Sequence, residues 1–505
     1  MRSALTALCL IGWASAGGAQ STEPLSAIDW LSQSVQVPVT SVAPGRALQD
    51  EPPVASTAEP PQVTTTPLDS ASPDPIGLLA PSVTDLPRSL WAGSDEATLI
   101  TLLQAVGVSG LPAKQELLRT LLLAEADPPA GASSAGALFQ ARVDKLLDLG
   151  AIEEAQALLE QAQIESPGLF RRWFDVALLT GTEDQACAVM QRRIDVAPTY
   201  AARIFCLARG GDWPAAALSL NTHIALGDLA AGEEALLSRF LDPELFENMP
   251  PLGPPARTSP LLFRMYEAIG ERLNTANLPR AFAHADLRAT VGWKSQIEAA
   301  ERLTRHGALP PNVLFALYTD RAPSASGGVW DRAAAMQAFD TALRRNDADA
   351  ITQSLPAAWE AAIAAQVEVA FAAEYGERLA TQSLAGPAQG IAAIVGALAP
   401  AATAPDQPPL AALSGLDLAR GADDPLSQAI AAAWQDDATP PAMLLDMTRQ
   451  NKLGEAMLRT IALLEAGATG DGQSLTDALV FLRTIGMEDM AHKIAAQTLL
   501  LRREF

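Results

Sequence analysis

Three fifteen-residue windows share one pattern: ARVDKLLDLGAIEEA (141–155), RWFDVALLTGTEDQA (172–186) and ARIFCLARGGDWPAA (202–216). In each window an apolar run ends near a glycine, Gly150, Gly181 or Gly211, and an alanine follows five residues later. The three glycines are 31 and 30 residues apart. A period of this length indicates stacked helical hairpins rather than a single globular core.

The glycine and the alanine have separate structural roles in this pattern. Gly150 adopts the left-handed conformation that ends a helix at little steric cost. Ala155 then lies on the next helix where it crosses the first, and its methyl group allows the two backbones to approach. Apolar residues follow helical spacing on both sides of the turn. These residues are Leu146, Leu149, Ile152, Leu158 and Leu159.

A proline completes the pattern in two of the three windows. Pro167 follows Ala155 by twelve residues, and Pro198 follows Ala186 by twelve, whereas Asp228 stands at the same place in the third window. This combination resembles the tetratricopeptide repeat. The resemblance implies an all-α fold, a right-handed superhelix of antiparallel helix hairpins with a concave groove that binds peptides. The arrangement of segments along the whole chain is also similar to that of uncharacterised exported bacterial proteins.

The same register returns near the C-terminus, while the middle of the chain lacks it. Asn451 is followed by Ala456, and Gly486 by Ala491. Between about residues 229 and 440 the helical pattern continues without the family's signature. In the family, Lys and Asn at set concave positions hold a peptide carboxylate; Arg171 and Asp175 stand at the corresponding places here.

Composition and charge exclude some function classes. The chain has 505 residues, 49% of them hydrophobic, with 35 basic and 58 acidic side chains and a formal net charge of -23. The abundance of Ala and Leu favours helix. A nucleic-acid binder needs a basic face, so that class is disfavoured, as is an anionic membrane surface.

The N-terminus predicts export. Residues 1–19 have Arg2, a short apolar core from Ala4 to Trp13 and small residues at 14–19, as a cleavable signal peptide does. The core is too short to span a bilayer permanently. We therefore expect a periplasmic protein without a transmembrane anchor.

Residues 20–88 form a Pro/Ser/Thr-rich stretch that we predict to be a disordered linker or arm. One apolar island, LSAIDWLSQSV (25–35), interrupts it and contains Ile28, Trp30 and Leu31. This island either packs back onto its own solenoid or is a docking motif for another protein.

Beyond the linker we expect three helical blocks: an N-terminal repeat-like array (89–247), a middle block (260–400) and C-terminal hairpins (410–505). The predicted helices of the array are 95–107, 112–126, 135–149, 151–164, 168–180, 183–196, 199–209 and 213–226. In the middle block we predict helices at 293–306 and 330–345 and one continuous helix at 357–381. Almost no β-strand is expected.

Cys187 and Cys206 are the two cysteines that remain after removal of the signal peptide. If the chain turns near Ala197, they lie at similar height on antiparallel helices. They form either a disulfide, which an oxidising compartment permits, or two buried thiols.

The loop Ser326, Gly327, Gly328, Trp330 and Arg332 is the least generic segment of the chain. Adjacent glycines at a helix start expose amide hydrogens that bind an anion, and a tryptophan stacks on a sugar or peptide. The other interpretation is a flexible turn with Trp330 in the core. This loop is the candidate ligand or partner loop.

The sequence predicts no catalytic, cofactor-binding or metal-binding residues. Its four histidines are scattered, and it has neither a His-Glu-x-x-His nor a Gly-x-Ser-x-Gly motif. We expect a non-enzymatic scaffold that binds another envelope protein or peptide through its concave surface. The alternative is a module that binds cell-wall glycan, since lytic transglycosylases also carry a helical superhelix.

Overall fold

The chain folds into α-helices joined by short turns. A computed structural model describes residues 72–132, 135–162, 164, 166–229, 232–400, 408–418 and 420–501. The predicted signal peptide, linker residues 20–71 and the docking motif Ile28, Trp30 and Leu31 lie outside these ranges. Within them the backbone forms two isolated β-bridges and no β-strand, so the predicted all-α class is confirmed.

The helices are numbered here in chain order. They are α1 (Pro81–Thr84), α2 (Glu96–Ala105), α3 (Pro112–Leu123), α4 (Ala137–Leu149), α5 (Ile152–Gln161), α6 (Pro167–Thr180), α7 (Glu183–Arg192), α8 (Tyr200–Arg209), α9 (Trp213–Leu226), α10 (Glu233–Leu241), α11 (Pro260–Ala268), α12 (Trp293–Thr304), α13 (Pro311–Asp320), α14 (Val329–Arg344), α15 (Ala348–Ala365), α16 (Glu368–Ala380), α17 (Pro387–Leu398), α18 (Pro409–Ala412), α19 (Pro425–Ala433), α20 (Ala442–Arg449), α21 (Leu453–Ala468), α22 (Gly472–Thr484) and α23 (Glu488–Leu500). A 3₁₀ segment, Arg280–Leu287, lies between α11 and α12. None of the described helices is long and apolar enough to cross a membrane.

Five hairpin turns share the geometry that the sequence pattern predicts. Their central residues are Gly150, Gly181, Gly211, Asn451 and Gly486, with φ between 59° and 85°. In each turn the next amide donates to the carbonyl five residues back, as Ala151 does to Leu146 at 2.9 Å. The alanines that follow are fully buried at the helix crossings. They are Ala155, Ala186, Ala216, Ala456 and Ala491.

Alanine at Gly150 is expected to destabilise the fold more than alanine at Gly211. Both substitutions place a side chain in the left-handed region, which costs about 1 kcal/mol. At Gly150 the new Cβ would lie 3.0 Å from Arg280 Cγ and 3.1 Å from Leu303 Cδ2, whereas at Gly211 nothing lies within 4 Å. We therefore expect a total loss of about 2–3 kcal/mol at Gly150. Urea denaturation measures both, and equal losses would contradict the role of crowding.

The continuous helix predicted at 357–381 is wrong. The structure has two helices there, α15 and α16, separated by Gln366 in the left-handed conformation with φ 56°. Val367 donates to the carbonyl of Ala362 at 2.9 Å, the same turn geometry as in the array. The helix ends because the reversal buries Phe371 against Phe315, and this packing overrides local helix propensity.

The predicted disordered linker extends too far, because residues 72–88 are folded. The amide of Leu79 donates to the carbonyl of Leu123 at 3.0 Å. Asp74 is fully buried, and its carbonyl accepts from Arg142 Nη1 at 3.0 Å. Composition indicated too little apolar surface for order, whereas backbone pairing and one buried arginine order this segment instead.

The described residues belong to one compact unit with two main apolar cores. The larger core runs from Leu86 to Leu501 and includes residues of all three predicted helical blocks. The second core, from Phe170 to Tyr266, holds α6 to α11 together. The N-terminal array thus shares its packing with helices from the other blocks.

The C-terminal hairpins pack against the beginning of the array. Glu465 on α21 accepts from the Gly107 amide at 2.9 Å and from Lys114 Nζ at 2.7 Å. Gln497 on α23 accepts from the Ala113 amide at 2.8 Å. These polar contacts join residues far apart in sequence across the α2–α3 turn.

Candidate interaction surface

The positions that correspond to the family's carboxylate clamp lie on α6. Arg171 is exposed, and its guanidinium lies 4.0 Å from the Asp175 carboxylate. The neighbouring Arg172 pairs with Asp144 at 2.6 Å and also donates to Gln140 at 2.9 Å. Both arginines are therefore already engaged by carboxylates of the same chain.

Another part of α6 is covered by other elements of the same chain. Helix α11 and the 3₁₀ segment 280–287 pack on it, and Phe263 and Phe282 form an apolar cluster with Val176 and Leu179. His284 Nε2 lies 2.7 Å from the Gly150 carbonyl oxygen and fixes the segment to the first turn of the repeat. Near the N-terminal end of α6 a polar depression of about 330 Å³ remains open, lined by residues of α2 and α4 and by Arg172.

Replacing Asp175 by asparagine is expected to stabilise the fold at about pH 8 and to have little effect at about pH 4. Burial raises the pKa of the Asp175 carboxyl to about 6, against the opposing charges of Arg171 and Arg172. The pKa of the same carboxyl is about 3.9 in the unfolded chain. Ionisation therefore lowers the free energy of unfolding as the pH rises from the unfolded pKa to the folded one. Asparagine stays neutral and should raise the free energy of unfolding by about 2 kcal/mol at the higher pH. Urea denaturation at both pH values measures this, and equal gains at the two would contradict it.

Cys187 and Cys206 form a disulfide between α7 and α8. Their Cα atoms lie 5.0 Å apart, and both residues are buried in the second core. Closing a loop of this size stabilises a fold by roughly 3 kcal/mol in the chain-entropy model. The bond holds α7 and α8 together beside α9.

Helix α9 has an apolar surface that no described residue covers. Eight of the twelve large apolar side chains that the described residues expose lie between residues 194 and 249. On α9 itself Leu218 is 70% exposed and Leu226 65% exposed, while Ala216 and Leu220 are its buried residues. The helix packs on α8 and α10 through this narrow buried strip. These exposed apolar side chains make α9 a candidate interaction surface.

The segment that contains α9 has acidic but no basic side chains. From Gly210 to Ser238 the sequence contains Asp212, Asp228, Glu233 and Glu234 and no lysine or arginine. Asp212 caps α9 by accepting from the Ala215 amide at 3.2 Å, and Asp212 itself is exposed.

His223 is the only titratable side chain of α9. Its ring stacks on Tyr200 at 3.7 Å, and its Nδ1 lies 3.2 Å from an Asp228 carboxylate oxygen. Helix α9 thus carries no lysine, arginine, aspartate or glutamate between its two acidic ends.

A side pocket adjoins the start of α9. It has a volume of about 420 Å³, and its lining includes Ile194, Leu207, Arg203 and Asp212. Ile194 is largely exposed there. The pocket is large enough to hold one apolar side chain of a bound segment.

The candidate ligand loop exposes fewer of its side chains to solvent than its sequence indicates. Ser326, Gly327 and Gly328 are exposed at the start of α14. Trp330 is half-buried against Trp293, with ring centroids 5.4 Å apart.

Arg332, the remaining member of that loop, is held inside the fold. Its guanidinium makes two contacts with the Glu301 carboxylate, at 2.7 and 2.8 Å, and Tyr318 donates to the same carboxylate. The loop therefore presents its glycines to solvent and keeps Arg332 in an internal ion pair.

A second groove, about 380 Å³ in volume, lies between the ends of α3, α5, α12 and α16. Arg119 donates to the Gly307 carbonyl, Arg305 donates to the Ala365 carbonyl at 3.0 Å, and Glu116 pairs with Lys493 at 2.8 Å. These charged groups join neighbouring helices. Among the described residues no group of three His, Cys, Asp or Glu side chains is placed to hold a metal ion.

Sequence reasoning did not single out α9. A 14-residue helix with almost no charge is typical of a buried helix, and only its environment shows that most of it is exposed. The absence of lysine and arginine from residues 210–238 is the one sequence signal that could have identified it. Comparison with known proteins adds no family assignment, because no protein-family model, curated protein or solved structure matches the chain.

Proposed function

We propose that the protein is a non-enzymatic interaction scaffold of the periplasm, which binds another envelope protein through a tetratricopeptide-like stack of helix hairpins. The left-handed turns with buried alanines support a superhelical stack of the repeat type. The observation that carries the binding function is the set of large apolar side chains that α9 exposes. Since α11 and residues 280–287 pack on α6, α9 is the better-supported place for a partner.

A photo-crosslinking residue at position 218 tests this function in cells that export the full chain. We expect a discrete adduct with one envelope protein, because Leu218 lies at the centre of the proposed surface. Position 298 is the matched control, since Glu298 is half-exposed on α12, outside this surface. No adduct from position 218, or the same adduct from both positions, would contradict the proposal.

Export is tested on the same cells. The mature protein should be recovered from the periplasmic fraction with an N-terminus close to residue 20, as cleavage of the predicted signal peptide requires. Recovery of the uncleaved chain from the cytoplasm would contradict the proposed location.

Glycan binding has less support than protein binding. Its candidate platform, Trp330, packs on Trp293, and Arg332 is paired with Glu301. Sedimentation of the mature protein with isolated peptidoglycan separates the two functions. Co-sedimentation that Trp330→Ala abolishes would favour glycan over protein.

A further inference from the structure

We propose that residues 250–255 form a polyproline ligand, which binds a groove lined with tryptophan or tyrosine side chains on a partner protein. The segment lies between α10 and α11 and has the sequence PPLGPP. This inference goes beyond the proposed function, since it concerns a separate contact site and does not depend on the α9 surface.

The sequence of this segment restricts its backbone conformation. Its four prolines fix their own φ at about −65°. A residue that precedes a proline is confined to extended ψ values, and Leu252 is the only one of the six that neither is a proline nor precedes one. The structure describes all six residues; none has a positive φ, and none makes a backbone–backbone hydrogen bond with another described residue. These features indicate a polyproline II helix.

Burial along the segment follows the three-residue period of such a helix. Leu252 and Pro255, three residues apart, are half-buried, and Leu252 packs on the second core. The other four residues of the segment are exposed. With three residues per turn, Pro251 and Pro254 therefore lie on one exposed face, about 9 Å apart along the helix.

Two side chains of the neighbouring helices hold the segment on the fold. Arg239 on α10 donates to the Pro250 carbonyl at 2.8 Å, and Tyr266 on α11 donates to the Gly253 carbonyl at 2.8 Å. A ligand that is ordered before it binds loses less conformational entropy on binding. The fold therefore presents Pro251 and Pro254 to a partner in a fixed conformation.

The remaining hydrogen-bonding groups of the segment select the class of partner. Proline has no backbone N–H, and the Leu252 amide donates to Glu271 at 2.7 Å, so Gly253 has the one N–H of the segment that no described group accepts. A sheet edge pairs through donors at alternate residues and therefore cannot hold this segment. The carbonyls of Pro251 and Pro254 accept from no described residue. Tryptophan and tyrosine provide both a donor for such carbonyls and a flat ring that packs on proline.

A photo-crosslinking residue at position 256, directly after the segment, tests the proposal in cells that produce the full chain. Mass spectrometry of the adduct should locate the crosslinked partner residues in a groove lined with tryptophan or tyrosine. Position 316 is the matched control, since Ala256 and Ala316 are both exposed and Ala316 lies within α13. No adduct from position 256, the same adduct from both positions, or crosslinks to a sheet edge or to a groove without aromatic side chains would overturn the proposal.

Competition measures what the prolines contribute. A synthetic peptide of residues 248–259 should suppress the adduct from position 256, and the same peptide with alanine at 251 and 254 should need about tenfold more to do so. In the full chain, Pro251→Ala combined with Pro254→Ala should reduce the adduct by about tenfold, whereas Pro310→Ala, at another exposed proline, should leave it unchanged. Urea denaturation should show that the double variant is folded, because both prolines are exposed. Equal competition by the two peptides, or an unchanged adduct from the folded double variant, would overturn the proposal.

Discussion

Replacing Arg142 by methionine is expected to lower the free energy of unfolding by about 3–5 kcal/mol. Arg142 is fully buried on α4, and its guanidinium donates to the carbonyls of Leu122, Asp74 and Ala124 at 2.8, 3.0 and 3.0 Å. Methionine fills a similar volume but leaves three carbonyls without a donor in a dry environment. Burial also lowers the pKa of Arg142 to about 10, against the attraction of Asp74.

Two measurements test the role of Arg142. Urea denaturation gives the overall loss, and proteolysis of the folded protein reports on residues 72–88, which Arg142 fastens to the end of α3. Arg449→Met is the control, because Arg449 is 73% exposed beside Asp446 and such surface pairs contribute about 0–1 kcal/mol. A loss below about 1 kcal/mol for Arg142→Met, as for a surface pair, would refute its structural role.

Replacing Gly454 by alanine is expected to destabilise the fold by about 3 kcal/mol or more. A Cβ at this position would lie 2.3 Å from the Trp91 ring and 2.7 Å from the Leu90 carbonyl oxygen. Because both distances are far below contact, Trp91, which is fully buried, must leave its site. The segment around Trp91 packs on α21, and it would then lose this buried side chain from the contact.

Gly390→Ala is the matched control for Gly454→Ala. Gly390 also lies within a helix, α17, but nothing lies within 4 Å of its added Cβ. Alanine is the better helix former, so this variant should gain about 0.5–1 kcal/mol. The same chemical change is thus expected to lower the free energy of unfolding at Gly454 and to raise it at Gly390. Urea denaturation that shows a change of the same sign at both sites would disprove this explanation.

The hairpins of the array could be predicted because their signals are local. A left-handed glycine and the alanine five residues later form one short sequence pattern. The predicted helices from 95 to 226 accordingly lie close to the observed ones. The middle block gave no such signal, since Asn346 and Gln366 take the left-handed position there and Ile351 and Phe371 follow five residues later. Both of these larger side chains are fully buried, and local sequence does not encode the helix spacing that accommodates them.

Local sequence therefore specified the helices, the turns and the pairing of neighbours, since backbone conformation and contacts within a hairpin depend on residues a few positions apart. Tertiary structure alone decided which faces are covered. The amide of Ala113 meets the side chain of Gln497, 384 residues away, and Arg280 meets the carbonyl of Leu149, 131 residues away. Such contacts cover the α2–α3 turn and part of α6 and leave α9 exposed, because burial of an apolar face depends on the elements that arrive from distant parts of the chain.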